Sequence, residues 1–550
     1  MPDLYIDGAW VADAEGGTRE VRCPADGEVV RVVDEATAVD TERAILAARR
    51  AFDDGRWASV PVAERGRLLA RVADLLERDV DVIARLESLD TGKRLVESEY
   101  DVADVAKTFR YFAGLAAGDV LGGRVVDPGN PGVRSRIDYS PVGVCGLITP
   151  WNYPLLQAAW KVAPALAAGC TFVLKPSEMT PSTTIHLMKL LDEAGLPAGV
   201  GNLVLGAGVT AGAPLATHPD VDMVSFTGGV VTGRRIMSEA AATVKKVALE
   251  LGGKNPNIIF ADADLDAAID NALTAVFLHS GQVCSAGARL LVEESVHDRV
   301  VDEIVRRAEM IRLGGPFDPD AETGPLISPE HRQKIEKYVA GALEEGAVLR
   351  CGGHAPDPVE FPTLAGGSYY LPTVLDGCRT DMTCVQDESF GPVLTVETFS
   401  TEEEAIALGN DTVYGLAGAV WTSDAGKAER VAGALRHGTI WINDYHPYLP
   451  QAEWGGFKQS GVGRELGPSG LHEYLEAKHV YRNLSPAPSG WFAEEAWDDE
   501  LYCDGGVTCH LGAPPVEGLR SEGRQDRRHA VRRSSPRPTA RGHGVHRGGP

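Results

Sequence analysis

The stretch "FLHSGQVCSAGARL", residues 277–290, places Cys284 among Ser, Gly and Ala. A buried cysteine is commonly a small hydrophobe and nothing more. Here the small neighbours leave room for a substrate at the sulfur, and a helix beginning near the thiol would favour the thiolate. Such a nucleophile needs a base and a partner for developing negative charge. "ALELGGKNP" offers Glu250 at a strand end just before a Gly pair, where a partly desolvated carboxylate acts as a general base. "TPWNYP" offers Asn152, an amide donor ahead of a Pro-started helix, suited to an oxyanion hole. These residue types suit covalent attack on a carbonyl.

Two further joints suit a dinucleotide. In "SFTGGVVTG" a strand ends in Gly228-Gly229, and a helix opens with Gly233 one turn in, so backbone amides can face a pyrophosphate. The spacing is not GxGxxG, and alone the cluster reads as a tight turn between strand and helix. "LKPSE" sets Lys175 and Glu178 at another strand end, where open α/β sheets bind ligands. They can hydrogen-bond ribose hydroxyls or form a solvated loop pair.

The elements that must position these groups are short apolar runs bounded by Gly and Pro. Residues 142–149, 171–176, 201–206, 222–229 and 245–253 read as buried strands, separated by helical stretches such as 154–168 and 181–194. That alternation predicts an α/β protein with parallel strands. Residues 62–117 carry long amphipathic helices, and "GRVVDPGNPGVRSRIDYSP" interrupts them as a hairpin would. A second α/β segment runs from about 256 to 450.

The chain of 550 residues has a net charge of -25, and its ends differ. Residues 515–550 hold nine arginines against Glu517, Glu522 and Asp526, a charge of +6 that leaves -31 on the rest. So acidic a body argues against nucleic acid as the main partner. The basic tail is too poor in apolar residues to pack, so a disordered extension over 494–550 is expected, with a nucleic-acid arm as the alternative. Nine scattered cysteines without CxxC pairs read as reduced thiols. With no signal-peptide pattern at the start and no apolar run of membrane length, a cytoplasmic protein without a membrane partner is expected.

In order along the chain, "PWNYP", "KPSE", "FTGGVVTG", "LELGGKNP", "GQVCSAG", "ESFGPV" and "WGGFKQSGVGRELG" resemble the aldehyde dehydrogenase superfamily, over about residues 3–493. One such motif is weak; seven in register are specific. The resemblance implies a Rossmann-type cofactor domain (1–121 and 142–252), an α/β catalytic domain (253–464) and a small β oligomerisation flap (122–141 and 465–485). It makes Cys284 the nucleophile, Glu250 the base and Asn152 the oxyanion donor. Trp151, Lys175, Glu178, Gly228, Gly229, Gly233, Glu388 and Phe390 then fall to the cofactor. NAD is favoured over NADP, because Glu178 would repel a 2′-phosphate. No metal ligand set is implied, and a homodimer or homotetramer is.

Four aromatics bear on the aldehyde. Tyr153 and Trp160 share a helix face, and Tyr448 and Trp454 lie in "NDYHPYLPQAEWGG". They are either core rings or a cage for a quaternary ammonium group. Both aromatic stretches resemble the betaine aldehyde dehydrogenase branch of the family, especially its bacterial members in glycine betaine synthesis. Glu453 replaces the Pro usual before Trp454 and either aids a cation or sits in solvent. The alternatives are an ω-aminoaldehyde substrate and, from another class, a structural or binding protein that has lost its chemistry.

Overall fold

A computed structural model describes residues 2–12, 17–118, 121–489 and 491; the expected disordered extension, 494–550, lies outside them. Met1–Arg482 form one compact unit, and a second begins at Asn483.

Two large sheets organise the first unit. The first has eight strands, in the order 461–462, 246–250, 223–227, 144–148, 171–175, 201–203, 4–6 and 9–11. Five of its six inner strands run parallel, from Lys246–Glu250 to Gly201–Leu203. Val144–Ile148, Thr171–Lys175 and Met223–Thr227 are buried along their whole length, as strands covered on both faces must be. After Val144–Ile148 the chain adds strands outward on one side and then crosses to Met223–Thr227 on the other. The crevice at such a reversal, outside the carboxyl ends of the strands, is where open α/β sheets take ligands. Trp151 and Asn152 follow one of these two strands, and Gly228 and Gly229 follow the other.

The second sheet has seven strands, in the order 348–351, 373–376, 393–399, 289–293, 256–259, 417–421 and 439–442. Residues 251–255 join the sheets, running from Glu250 at the end of one strand to Pro256 at the start of the next. Gly461–Val462 returns to the first sheet, pairing antiparallel with Leu249 and Glu250.

The expected strands and helices fall where the apolar runs put them, including Pro154–Ala168 and Ser182–Glu193. The hairpin Arg124–Val126 and Val133–Pro141 joins Leu475–Asn483 in a separate three-stranded sheet. "GLHEYLEAKHVYRN" is strand only from Leu475, because its start completes the helix Gly467–His472. Among the described residues no helix is long and apolar enough to cross a membrane.

Candidate active site

Cys284 sits half-buried in a turn before the strand Arg289–Glu293. No helix starts at the thiol, contrary to expectation: the preceding helix ends at Phe277, and a short 3-10 turn covers Leu278–Gly281. Burial, then the carboxylates of Glu250 and Glu388, push the thiol well above its ordinary range, so the resting group is a neutral thiol. The nucleophile is held through its backbone. Asn255 Nδ2 donates to the carbonyls of Cys284 and Ala286, both at 2.9 Å, while its Oδ1 accepts from the Ala417 amide. Gln282 braces the other side, donating to the carbonyls of His279 and Pro325 and accepting from the Ile327 amide.

Asn152 is buried ahead of Pro154, and its Nδ2 donates to Gln282 O at 2.9 Å. The amide therefore lies against the loop that carries Cys284. Glu250 ends its strand buried, and neither carboxylate oxygen has a hydrogen-bond partner among the described residues. A Cβ on Gly455 would come within 2.9 Å of Glu250 Oε1, so glycine there leaves room for the carboxylate. Burial and then Glu465 hold the Glu250 carboxyl well above the usual range, opposed by Lys161 and Arg464. Lys161 is itself fully buried; it pairs with Glu465 and donates to Thr227 Oγ1 at 2.7 Å.

The candidate cofactor residues divide by role. Lys175 Nζ meets Glu178 Oε2 at 3.2 Å, so the two expected ribose ligands pair with each other. Burial lowers the Lys175 ammonium; burial raises the Glu178 carboxyl, but Lys175, its own backbone amide and Arg19 together outweigh it and leave Glu178 lowered. Gly229 caps the helix Val230–Ala240, and a Cβ added there would meet nothing within 4 Å. That open helix start suits a pyrophosphate. A Cβ on Gly233 would come 2.5 Å from Leu251 Cδ2, so glycine there permits close packing. Glu388 Oε1 accepts from the Gly253 amide at 2.9 Å, and burial pushes its carboxyl up to about 7. Phe390 lies edge-on to Trp151, with ring centroids 5.2 Å apart. His331 completes this group, 5.5 Å from Trp151, with its Nε2 bonded to Phe390 O. Burial lowers His331 to about 4, so it is neutral.

The aromatic residues form a cluster with one member apart. Trp160 lies 6.2 Å from Tyr448 and 6.1 Å from Trp454, and Tyr448 and Trp454 are 5.0 Å apart. Trp441 adds a ring that sequence reading missed, 6.1 Å from Tyr448 and 6.3 Å from Trp454. Tyr448 is tied to the nucleophile's neighbour, since its hydroxyl bonds Ser285 Oγ. Trp160 and Tyr448 line a shallow, narrow cleft with Asp104, a carboxylate that no motif flagged and that pairs with Lys107 at 2.9 Å. Tyr153 stands outside the ring cluster, edge-on to His279 at 5.6 Å and beneath Lys93 Nζ. Glu453 is exposed and accepts from Ser469 Oγ at 3.0 Å, so its charge is spent at the next helix.

A model of the aldehyde dehydrogenase family matches residues 10–480. The chain belongs to the aldehyde dehydrogenase family. It is 58% identical over 489 residues to betaine aldehyde dehydrogenase of Bacillus subtilis, covering 89% of this chain and 99% of that protein. A peroxisomal aminoaldehyde dehydrogenase of Pisum sativum is 44% identical, covering 90% and 98%. Among solved structures, betaine aldehyde dehydrogenase from Staphylococcus aureus in complex with NAD+ superposes with a TM-score of 0.87 at 53% identity, over 89% of this chain and 97% of that one.

Proposed function

We propose that this aldehyde dehydrogenase oxidises betaine aldehyde to glycine betaine with NAD. The observation that carries the substrate is the cluster of the Trp160, Tyr448 and Trp454 rings, with Asp104 at its edge. Aromatic faces attract a quaternary ammonium by about 0.5–2 kcal/mol per ring, and a carboxylate adds attraction for the same charge. The likeness to the Bacillus subtilis enzyme supports the same choice.

Cys284 Sγ attacks the aldehyde carbon as its proton passes to the Glu250 carboxylate. Asn152 Nδ2 and the Cys284 amide hold the oxyanion, for which Asn152 exchanges its bond to Gln282 O. NAD, when bound, supplies the hydride acceptor. Lys175 and Glu178 would hold its adenosine ribose, the open helix start of Gly229 its pyrophosphate, and Glu388 with Trp151 and Phe390 its nicotinamide end. Collapse of the oxyanion leaves a thioester on Cys284. Glu250 first releases the Cys284 proton to solvent and then takes a proton from water; the hydroxide adds to the thioester carbon, and the carboxylic acid leaves as that second proton returns from Glu250 to the Cys284 sulfur.

The three-stranded sheet is the proposed subunit contact. Val125 and Tyr481 stand 84% and 60% exposed on it, a liability unless covered. A homodimer or homotetramer follows, and light scattering at micromolar concentration checks it. Seven free cysteines among the described residues fit a reducing cytoplasm.

A second reading is favoured by one feature. Asp104, if it exchanged its pair with Lys107, would bind a protonated amine more strongly than rings do, so an ω-aminoaldehyde is the competing substrate. Steady-state NADH formation from betaine aldehyde, 4-aminobutyraldehyde, 3-aminopropionaldehyde and acetaldehyde decides between them. The proposal requires the highest kcat/KM for betaine aldehyde.

A further inference from the structure

Lys93 is fully buried between two helices, Val80–Thr91 and Leu95–Ala117, far in sequence from every motif of the site. Its Nζ donates to Asp101 Oδ2 at 2.6 Å, lies 3.8 Å from Glu87 Oε1 and stands 4.0 Å from the centroid of the Tyr153 ring. Glu87 is occupied in turn, accepting from Thr183 Oγ1 at 2.7 Å. The Tyr153 ring is thus held by a cation over its face and by His279 at its edge. Glu97, one turn before Asp101 on the same helix, accepts from the His279 amide at 3.1 Å. His279 and Ser280 have positive φ, 47° and 53°, on the way to Cys284. One helix start therefore grips both catalytic loops, through Lys93 on Tyr153 and through Glu97 on His279.

We propose that Lys93 is a positioning residue for acylation: its ammonium, anchored by Asp101, pins the Tyr153 ring and so keeps the adjoining Asn152 amide aligned with Cys284. The inference rests on Asn152 as the oxyanion donor. A buried ion pair contributes little net stability, and replacing both members by apolar groups is often neutral, so the pair's main effect here is geometric. Desolvation strengthens a cation–π contact, which makes the ring a firm handle. Tyr153 directly follows Asn152, so a shift of the ring is a shift of the amide.

The test replaces the pair jointly, Lys93→Met with Asp101→Leu, because Lys93→Met alone leaves two buried acids without their cation. The single-turnover rate of NADH formation should fall roughly ten- to hundredfold, the effect of an ångström-scale misplacement. Deacylation, the KM for NAD and the thermal midpoint should stay near those of the parent. In an Asn152→Ala background the joint replacement should cost less than about twofold, since two changes acting through one group do not add. A parent-like single-turnover rate would overturn the proposal. So would a full further loss in the Asn152→Ala background, or a joint variant that does not fold, which would make Lys93 structural. Asn152→Ala with parent-like turnover would instead refute Asn152 as the oxyanion donor.

Discussion

Asn152 Nδ2 donates to Gln282 O two residues before Cys284, so the oxyanion donor and the nucleophile's loop are joined before any aldehyde arrives. The same amide must turn from a carbonyl to an oxyanion during the reaction, a short movement between two acceptors. Asn152→Ala should therefore lower the acylation rate by roughly 100- to 1,000-fold, the usual loss on removing one such donor. Stopped-flow NADH formation measures it.

Cys284→Ala removes the nucleophile and little volume from a half-buried turn. Dehydrogenase turnover should vanish while the thermal midpoint stays within a few degrees of the parent's, because the backbone contacts of Asn255 remain. Glu250→Gln should spare the first turnover more than the second, which a burst of NADH followed by a slow steady rate would reveal.

The raised Glu250 carboxyl has consequences of known sign. As the base it must be ionised, so kcat should fall as pH drops through its folded pKa, which lies well above the usual carboxylate range. Lys161 opposes that shift, so Lys161→Met should move the acid limb of the pH–rate profile to higher pH. For stability, the folded state binds the proton more tightly than the unfolded chain. Stability is then lost as pH rises from the unfolded value to the folded one. Glu250→Gln should raise the thermal midpoint at pH 8 more than at pH 5; the opposite order would contradict the burial cost.

The two glycines at the cofactor helix should respond differently to alanine. Gly233→Ala drives a methyl into Leu251, an overpacking that typically costs about 1–3 kcal/mol, and should lower the thermal midpoint and weaken NAD binding. Gly229→Ala meets open space at φ -71° and should leave the fold intact. Calorimetry with and without NAD compares them.

Much of this site was legible because the chemistry sits where strands end, and strand ends announce themselves. Glu250, Lys175 and Gly228–Gly229 each close an apolar run with Gly or Pro, so their places followed from the pattern alone. The residues that went unread make contacts across long stretches of sequence. Asn255 reaches Cys284 across 29 positions, and His331 reaches Phe390 across 59. Neither a lone Asn in a loop nor a His in the first turn of a helix, as His331 is in Pro329–Glu344, signals a distant partner, so only the folded chain reveals it. Tyr153 shows a related limit: it precedes the helix at φ -133°, ψ 62°, and nothing in the spacing of the sequence announces the Lys93 ammonium over its ring.

The most direct test compares betaine aldehyde with 3,3-dimethylbutanal, which has the same shape with carbon in place of the charged nitrogen. With NAD, the parent should show a much higher kcat/KM for the cation. Trp454→Ala and Tyr448→Ala should each raise the KM for betaine aldehyde by about five- to tenfold, the equivalent of roughly 1 kcal/mol, and change that for 3,3-dimethylbutanal far less. Equal kcat/KM for the two aldehydes in the parent, with equal losses in the variants, would show the rings acting as plain apolar walls and would contradict the assignment of betaine aldehyde.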